Sequence, residues 1–224
     1  MANRFAVVAR FAIAAIAIEA FTAESIDSVH ANSLPPITQS SLPSSFFTAG
    51  LEKAEPPKGW TEFCIRYAPE CDVKPSTFRN IVLNPKTWET IIGVNKRVNE
   101  HIRPMTDMQH RGRINVWSYG EDGRGDCKDY VLLKRRKLIE SGLPSEALLI
   151  AIAWTPQNQG HAVLIARTDK GDFVLDNLSS KVMIWSDTEY QFVMRQSQSD
   201  QNVWVYIDGD PLAKDFTWIA HGLI

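Results

Sequence analysis

Apolar residues recur at helical spacing twice in the middle of this chain and at strand spacing through its last third. Trp88, Ile91, Ile92, Val98 and Ile102 form one face of a segment opened by Asn84 and Pro85 and closed by Pro104. An Asn side chain accepts backbone amides at a helix start and Pro suits the first helical position, so the pattern predicts a helix over 85–102. A second helix is predicted from Asp126 to the stop signal Ser141-Gly142-Leu143-Pro144. On it Tyr130, Val131 and Leu138 share a face with Cys127, and Lys134 interrupts that face. A shorter helix over 59–67 precedes both.

Beyond residue 146 the period changes. Residues 147–154 are a continuous apolar run, the pattern of a buried strand. Strands over 161–167 and 173–177 flank the turn residues Thr168-Asp169-Lys170-Gly171, and others are predicted over 182–185, 191–195 and 203–207. Helices first and an antiparallel sheet afterwards make an α+β domain, with N-terminal helices packed on the sheet.

Composition adds bounds rather than identity. The 224 residues are 44% hydrophobic and 22% charged, enough apolar mass for one core. A net charge of -2 without a long basic patch gives no support to nucleic-acid binding. Lys134-Arg135-Arg136-Lys137 would point in every direction around a helix, which reads as a solvated surface. Residues 1–31 read as an export signal: Arg4 and Arg10 lead into an apolar run at 11–18, and Ala31 or Ala23 offers a small-residue cleavage site. The run is too short for a stable membrane span, so no membrane insertion is expected after cleavage; an uncleaved anchor or a buried helix is the competing reading. Residues 32–58, rich in Ser and Pro, form a linker or arm, and the folded domain is expected over 59–224.

Export changes how the three cysteines read. Cys64 and Cys71 lie seven apart around Pro69. In an oxidising compartment that spacing suits a disulfide, against the alternative of two free buried thiols. Such a short loop is worth roughly 2–3 kcal/mol. Cys127 is then the odd thiol, in Gly125-Asp126-Cys127-Lys128-Asp129-Tyr130 at a helix start. Unpaired amides and the helix dipole there favour an anion and can stabilise an oxyanion. Gly160-His161 opens one strand and Asp176 sits on the next. Thiol acyl transfer needs this set: a nucleophile, an imidazole to move the proton and a carboxylate to hold the imidazole tautomer. If the turn is centred between Thr168 and Asp169, His161 and Asp176 face each other across adjacent strands, with Cβ atoms about 5 Å apart. A three-residue loop at 169–171 would instead turn Asp176 to the other face, unless a bulge near Gly171 restored the pairing. A cysteine as a small core residue, His161 in a turn and Asp176 as a loop cap are the plainer readings. Trp117 and Tyr119 suit a substrate cleft or the core equally. No Cys or His pair has zinc-finger spacing, and no phosphate-cradling glycine motif is present.

From about residue 56 to about 206 the chain resembles the bacterial transglutaminase-like cysteine proteinases. The shared features are Phe63-Cys64-Ile65-Arg66 with Cys71, Gly-Asp-Cys-Lys-Asp-Tyr at 125–130, Gly-Leu-Pro at 142–144, Gly-His-Ala-Val at 160–163, Val-Leu-Asp-Asn at 174–177 and Arg195-Gln196-Ser197. The resemblance implies a transglutaminase-like, papain-like fold with Cys127 as nucleophile, His161 as base and Asp176 as its orienter. It also implies a periplasmic setting, a protein substrate such as a cell-surface adhesin, and calcium beside the thiol. The family motif reads Asp-Cys-Glu-Asp, and Lys128 stands here in place of the glutamate. An ammonium removes an oxygen donor and adds repulsion at a calcium site, while Asp126 and Asp129 are explained equally by helix capping. No metal or other cofactor is therefore assigned from sequence. The expected activity is a periplasmic cysteine endopeptidase. The alternatives are a transglutaminase-type acyltransferase or deamidase on glutamine side chains, and a non-catalytic peptide-binding module.

Overall fold

A computed structural model describes residues 52–72 and 78–207. The expected export signal and most of the Ser/Pro-rich arm lie outside them. Along the chain come β1 (Lys53–Ala54), α1 (Lys58–Arg66), α2 (Ala68–Cys71), α3 (Pro85–His101), β2 (Arg103–Pro104), α4 (Asp107–Arg111), β3 (Arg124–Gly125) and α5 (Cys127–Glu140). The strands β4 (Leu148–Trp154), β5 (Gly160–Thr168), β6 (Gly171–Leu175), β7 (Met183–Ile184), β8 (Gln191–Gln196) and β9 (Trp204–Tyr206) follow.

The two long helices form on the signals that predict them. The Asn84 side chain accepts from the Thr87 amide at 3.0 Å while the Thr87 hydroxyl accepts from the Asn84 amide at 2.9 Å. Asp126 and Asp129 make the same reciprocal box at the start of α5. Each such cap is worth about 1 kcal/mol. At the far end of α5, Gly142 adopts φ 89°, a left-handed conformation that glycine takes without penalty. That bend lets the Leu143 amide reach back to the Leu138 carbonyl at 3.1 Å.

Seven strands form one antiparallel sheet in the order β1-β9-β8-β4-β5-β6-β7. Its centre, β4 and β5, is buried on both faces, which is why residues 147–154 show no polar alternation. Ile150, Ile152, Leu164, Phe173 and Leu175 share the main core with Ile91, Val98, Tyr130 and Leu138 of the helices. Leu149, Val163, Ile165, Val174 and Phe192 form a smaller cluster on the other face. Trp117 and Tyr119 are core residues, not cleft walls: both are buried, and Trp117 stands edge-on to Trp60 and Trp204 at 6.1 and 6.4 Å. Cys64 and Cys71 are joined as a disulfide across the junction of α1 and α2. The sheet also takes in a piece of the expected arm, for Lys53 and Ala54 pair with Val205 and Trp204. Two residues carry no readable period, so sequence had no means of showing this strand.

The basic run on α5 is not the solvated surface that its composition suggests. Arg136 and Lys137 are exposed, but Lys134 is 0% and Arg135 6% exposed. The helix packs against α3 on one side and β5 on the other, so more than one of its faces is covered. Arg135 donates to the Leu148 carbonyl at 3.0 Å and to the Gln201 side chain. Among the described residues the Lys134 ammonium has no hydrogen-bond partner, and it lies 5.9 Å from the centroid of the Tyr130 ring. Burial outweighs the attraction of Asp176 and pushes Lys134 down to about 7. A depressed lysine costs stability in full below about pH 7, and the cost fades as pH rises towards its ordinary 10.5. Lys134→Met is therefore expected to stabilise the fold by about 1–4 kcal/mol at neutral pH. The gain should shrink between pH 7 and 10.5, and thermal melting across that range checks both the sign and the slope.

Candidate active site

The site is assembled where α5 begins. The short parallel pair β2–β3 sets Gly125 beside Pro104, and the Met105 amide donates to the Gly125 carbonyl at 2.9 Å. A Cβ on residue 125 would fall 2.5 Å from Asp129 Oδ2 and 2.6 Å from its Cβ, so only glycine admits this approach. The Asp126 amide then donates to Asp129 Oδ2 at 3.0 Å, and Asp126 caps the helix by accepting from the Lys128 amide at 3.3 Å. The first residue of α5 is Cys127, a free and partly exposed thiol. It opens onto a cleft of about 520 Å³ whose walls include Asn115, Gln159, Gly160 and Leu178.

His161 stands at the start of β5, and Asp176 directly follows β6. The hairpin between them turns on Asp169 and Lys170, with Thr168 paired to Gly171. That is one residue later than the centring that would set His161 opposite Asp176. Carried past Leu164–Leu175, the register sets Asp176 beside Val163, diagonal to His161. The offset is an even number of residues, so Asp176 keeps the same face without a bulge. His161 Nε2 lies 2.7 Å from Asp176 Oδ1, and the Cys127 side chain is near enough to the imidazole to bear on its charge. His161 and Asp176 are thus hydrogen-bonded, with Cys127 beside the imidazole.

Further residues complete the arrangement without having been read from sequence. The Tyr190 hydroxyl donates to Asp176 Oδ2, and the tyrosine ring stands edge-on to His161 at 5.5 Å. The Leu178 amide donates to Asp176 Oδ1 at 3.1 Å. Asn99 on α3 donates to the Asp176 carbonyl at 2.8 Å, and Asn95, one turn earlier, donates to the carbonyls of Ser179 and Ser180. The loop after β6 is thereby pinned to α3. Asn95 and Asn99, polar residues one turn apart on a helix that packs in the core, were the one available signal; Tyr190 carried none.

These contacts set the charges. Burial disfavours a charged His161, but its hydrogen bond to Asp176 and the nearness of Cys127 outweigh burial and push it up to about 9. Burial likewise opposes the Asp176 carboxylate, yet His161 and Tyr190 hold it below the usual carboxylate range. Tyr190 is raised by its own burial and by the adjacent carboxylate.

Asp107, Asp126 and Asp129 bring carboxylate oxygens within 4.8 Å of one another, a group that could hold a cation. Burial pushes Asp129 up to about 7 despite its bond from Ser118, and the neighbouring carboxylates add to the rise. The Lys128 ammonium, 3% exposed, lies 2.6 Å from Asp126 Oδ2 and 3.3 Å from Asp107 Oδ2. Burial would neutralise this lysine, but the charges of Cys127, Asp126 and Asp107 hold it above the ordinary lysine range.

The family model of the bacterial transglutaminase-like cysteine proteinases, BTLCP, matches residues 51–211. Among solved structures, Legionella pneumophila LapG is similar at 24% identity, covering 62% of this chain and 79% of that one, with a TM-score of 0.47. Its EGTA-treated form matches at 24% identity over 62% and 80% of the two chains, with a TM-score of 0.46. Its calcium-bound form matches at 20% identity over 71% and 97%, with a TM-score of 0.43. No curated protein matches.

Proposed function

This chain belongs to the bacterial transglutaminase-like cysteine proteinases and is a cysteine peptidase; we propose that it is a periplasmic endopeptidase working through Cys127, His161 and Asp176. The observation that carries the proposal is the imidazole hydrogen-bonded to the Asp176 carboxylate with the free Cys127 thiol beside it.

With Nε2 committed to Asp176, Nδ1 of His161 is the nitrogen that takes the thiol proton. The resulting thiolate attacks the scissile carbonyl carbon, and the carbonyl π electrons move onto oxygen. The Asp126 side chain already engages the Lys128 and Asp129 amides, so the Cys127 amide is the helix-end donor assigned to that oxyanion. Collapse breaks the C–N bond as His161 gives its proton to the departing amine, leaving a thioester on Cys127. Water then adds to the thioester, its proton passing to His161. Thiolate departure leaves a carboxylic acid product, and the imidazolium–thiolate pair returns to its starting state. Asp176 stays ionised throughout; it fixes the tautomer and stabilises the imidazolium.

A protein substrate follows from peptidase activity, and a cell-surface adhesin is the substrate class proposed. Family membership and the assembled thiol, imidazole and carboxylate weigh against a purely binding role. N-terminal peptide mass spectrometry of exported proteins tests the reading, comparing a strain lacking the protein with strains carrying wild type or Cys127→Ala. A new N-terminus in a surface protein should appear with wild type alone. Identical N-termini in all three strains would overturn the proposal. Labelled amine joined to glutamine side chains in place of cleavage would replace hydrolysis by transamidation.

A further inference from the structure

Two carboxylates flank the nucleophile on α5, and a third reaches them from the start of α4, so the group ties two elements together around Cys127. Carboxylates this close repel one another unless a positive charge lies among them. We infer that Lys128 is a tethered cation closing the Asp107–Asp126–Asp129 group, so that the start of α5 is assembled by an ammonium and needs no divalent ion.

Each carboxylate oxygen of the group already has a protein partner. Asp126 Oδ2 and Asp107 Oδ2 face Lys128 Nζ at 2.6 and 3.3 Å. Asp107 Oδ2 also accepts from the Val116 amide at 2.7 Å, and Asp107 Oδ1 lies 3.8 Å from Arg111 Nε. Asp126 Oδ1 accepts from the Lys128 amide at 3.3 Å. Asp129 Oδ1 accepts from the Ser118 amide at 2.9 Å and hydroxyl at 2.7 Å, and its Oδ2 accepts from the Asp126 amide at 3.0 Å. Calcium requires about six to eight oxygens at about 2.3–2.6 Å. To enter, it would have to displace a buried ammonium and strip several of these donors. The residues present do not fit calcium; they fit the lysine that sits among them.

The test uses the full chain as wild type, Lys128→Met and Lys128→Glu, each in EGTA and in millimolar calcium. The readouts are thermal melting, calcium uptake by calorimetry and the rate of Cys127 alkylation by iodoacetamide. Wild type should melt and alkylate identically in both conditions and take up no calcium with a Kd below about 1 mM. Lys128→Met should melt lower than wild type in EGTA. Lys128→Glu, which trades the cation for a further oxygen donor, should melt lower still in EGTA and recover with calcium. If it does not fold in EGTA, folding on addition of calcium gives the same answer. A wild type that gains melting temperature with calcium, or whose thiol reactivity falls in EGTA and returns with calcium, would overturn the inference. So would a Lys128→Met variant as stable as wild type. None of these readouts needs a substrate, so their failure is separate from failure of the peptidase reading.

Discussion

Cys127→Ala is expected to reduce cleavage of the protein substrate to background, a fall on the order of 10⁶-fold, with little change in melting temperature. The loss corresponds to roughly 8 kcal/mol of transition-state stabilisation. It is this large because no other group reaches the position: Cys127 is the free thiol of the chain, at the first residue of α5. Truncating it removes the attacking atom and with it the thioester, so neither half-reaction survives. The fold should not register the change strongly. Cys127 is partly exposed, and the helix start is held by Asp126, Asp129 and Gly125, all left intact. A stability change of no more than about 1 kcal/mol is expected. A cleavage assay on the protein substrate, run beside thermal melting, measures both quantities. Turnover retained by this variant would rule out the thioester route.

Asp176→Ala should lower turnover by about 10³–10⁴-fold, and unlike the cysteine variant it should also lose stability. The carboxylate accepts from His161, from the Leu178 amide and from the Tyr190 hydroxyl. Its removal frees the imidazole to turn and leaves buried donors unpaired, at about 1–3 kcal/mol for each. Tyr190→Phe deletes one donor to the same carboxylate and leaves the His161 bond in place. About a tenfold loss of activity is expected there, the worth of one charge-assisted hydrogen bond. The two variants also separate by pH. His161 is raised in the fold from 6.5 to about 9, so the stability it contributes is complete below 6.5 and lost as pH rises through about 9. Asp176 is lowered from 3.8, so its share is complete above 3.8 and lost in stronger acid. The melting difference between wild type and Asp176→Ala should therefore be greatest between pH 3.8 and 6.5 and close towards pH 9. A pH-independent difference would mean that Asp176 acts through packing and not through the imidazolium.

The parts of this protein legible in the chain are those governed by neighbours in sequence. Asn84-Pro85 and Asp126 through Asp129 announce their helices because a cap is satisfied by donors two or three residues away. The apolar run in β4 shows burial on both faces because every side chain in it is apolar. The three chemical groups were readable for the same reason: a thiol after a capping aspartate, a histidine opening a strand and an aspartate closing the next are local placements. The hairpin was nearly readable. Its turn lies one residue further along than a centre between Thr168 and Asp169, and the even offset kept Asp176 on the required face.

Other features depend on contacts made by distant segments. Lys134 and Arg135 look like surface residues in any window around them; only the packing of α5 between α3 and β5 buries them. Tyr190 joins the site across the sheet, and Asn99 holds the loop of Asp176 from a helix 77 residues earlier. Lys128 reads from sequence as a misplaced charge in an acidic motif, and it becomes intelligible once Asp107 arrives from α4 to share its ammonium with Asp126. Sequence by itself determined the α+β order of elements and the family, and it nominated the three groups proposed to react. Tertiary structure alone decided which charges are buried, what holds the carboxylate against the imidazole, and which carboxylates pair with Lys128. Caps and periodicity act within a turn or two of chain, whereas desolvation and ion pairing depend on what folding brings near.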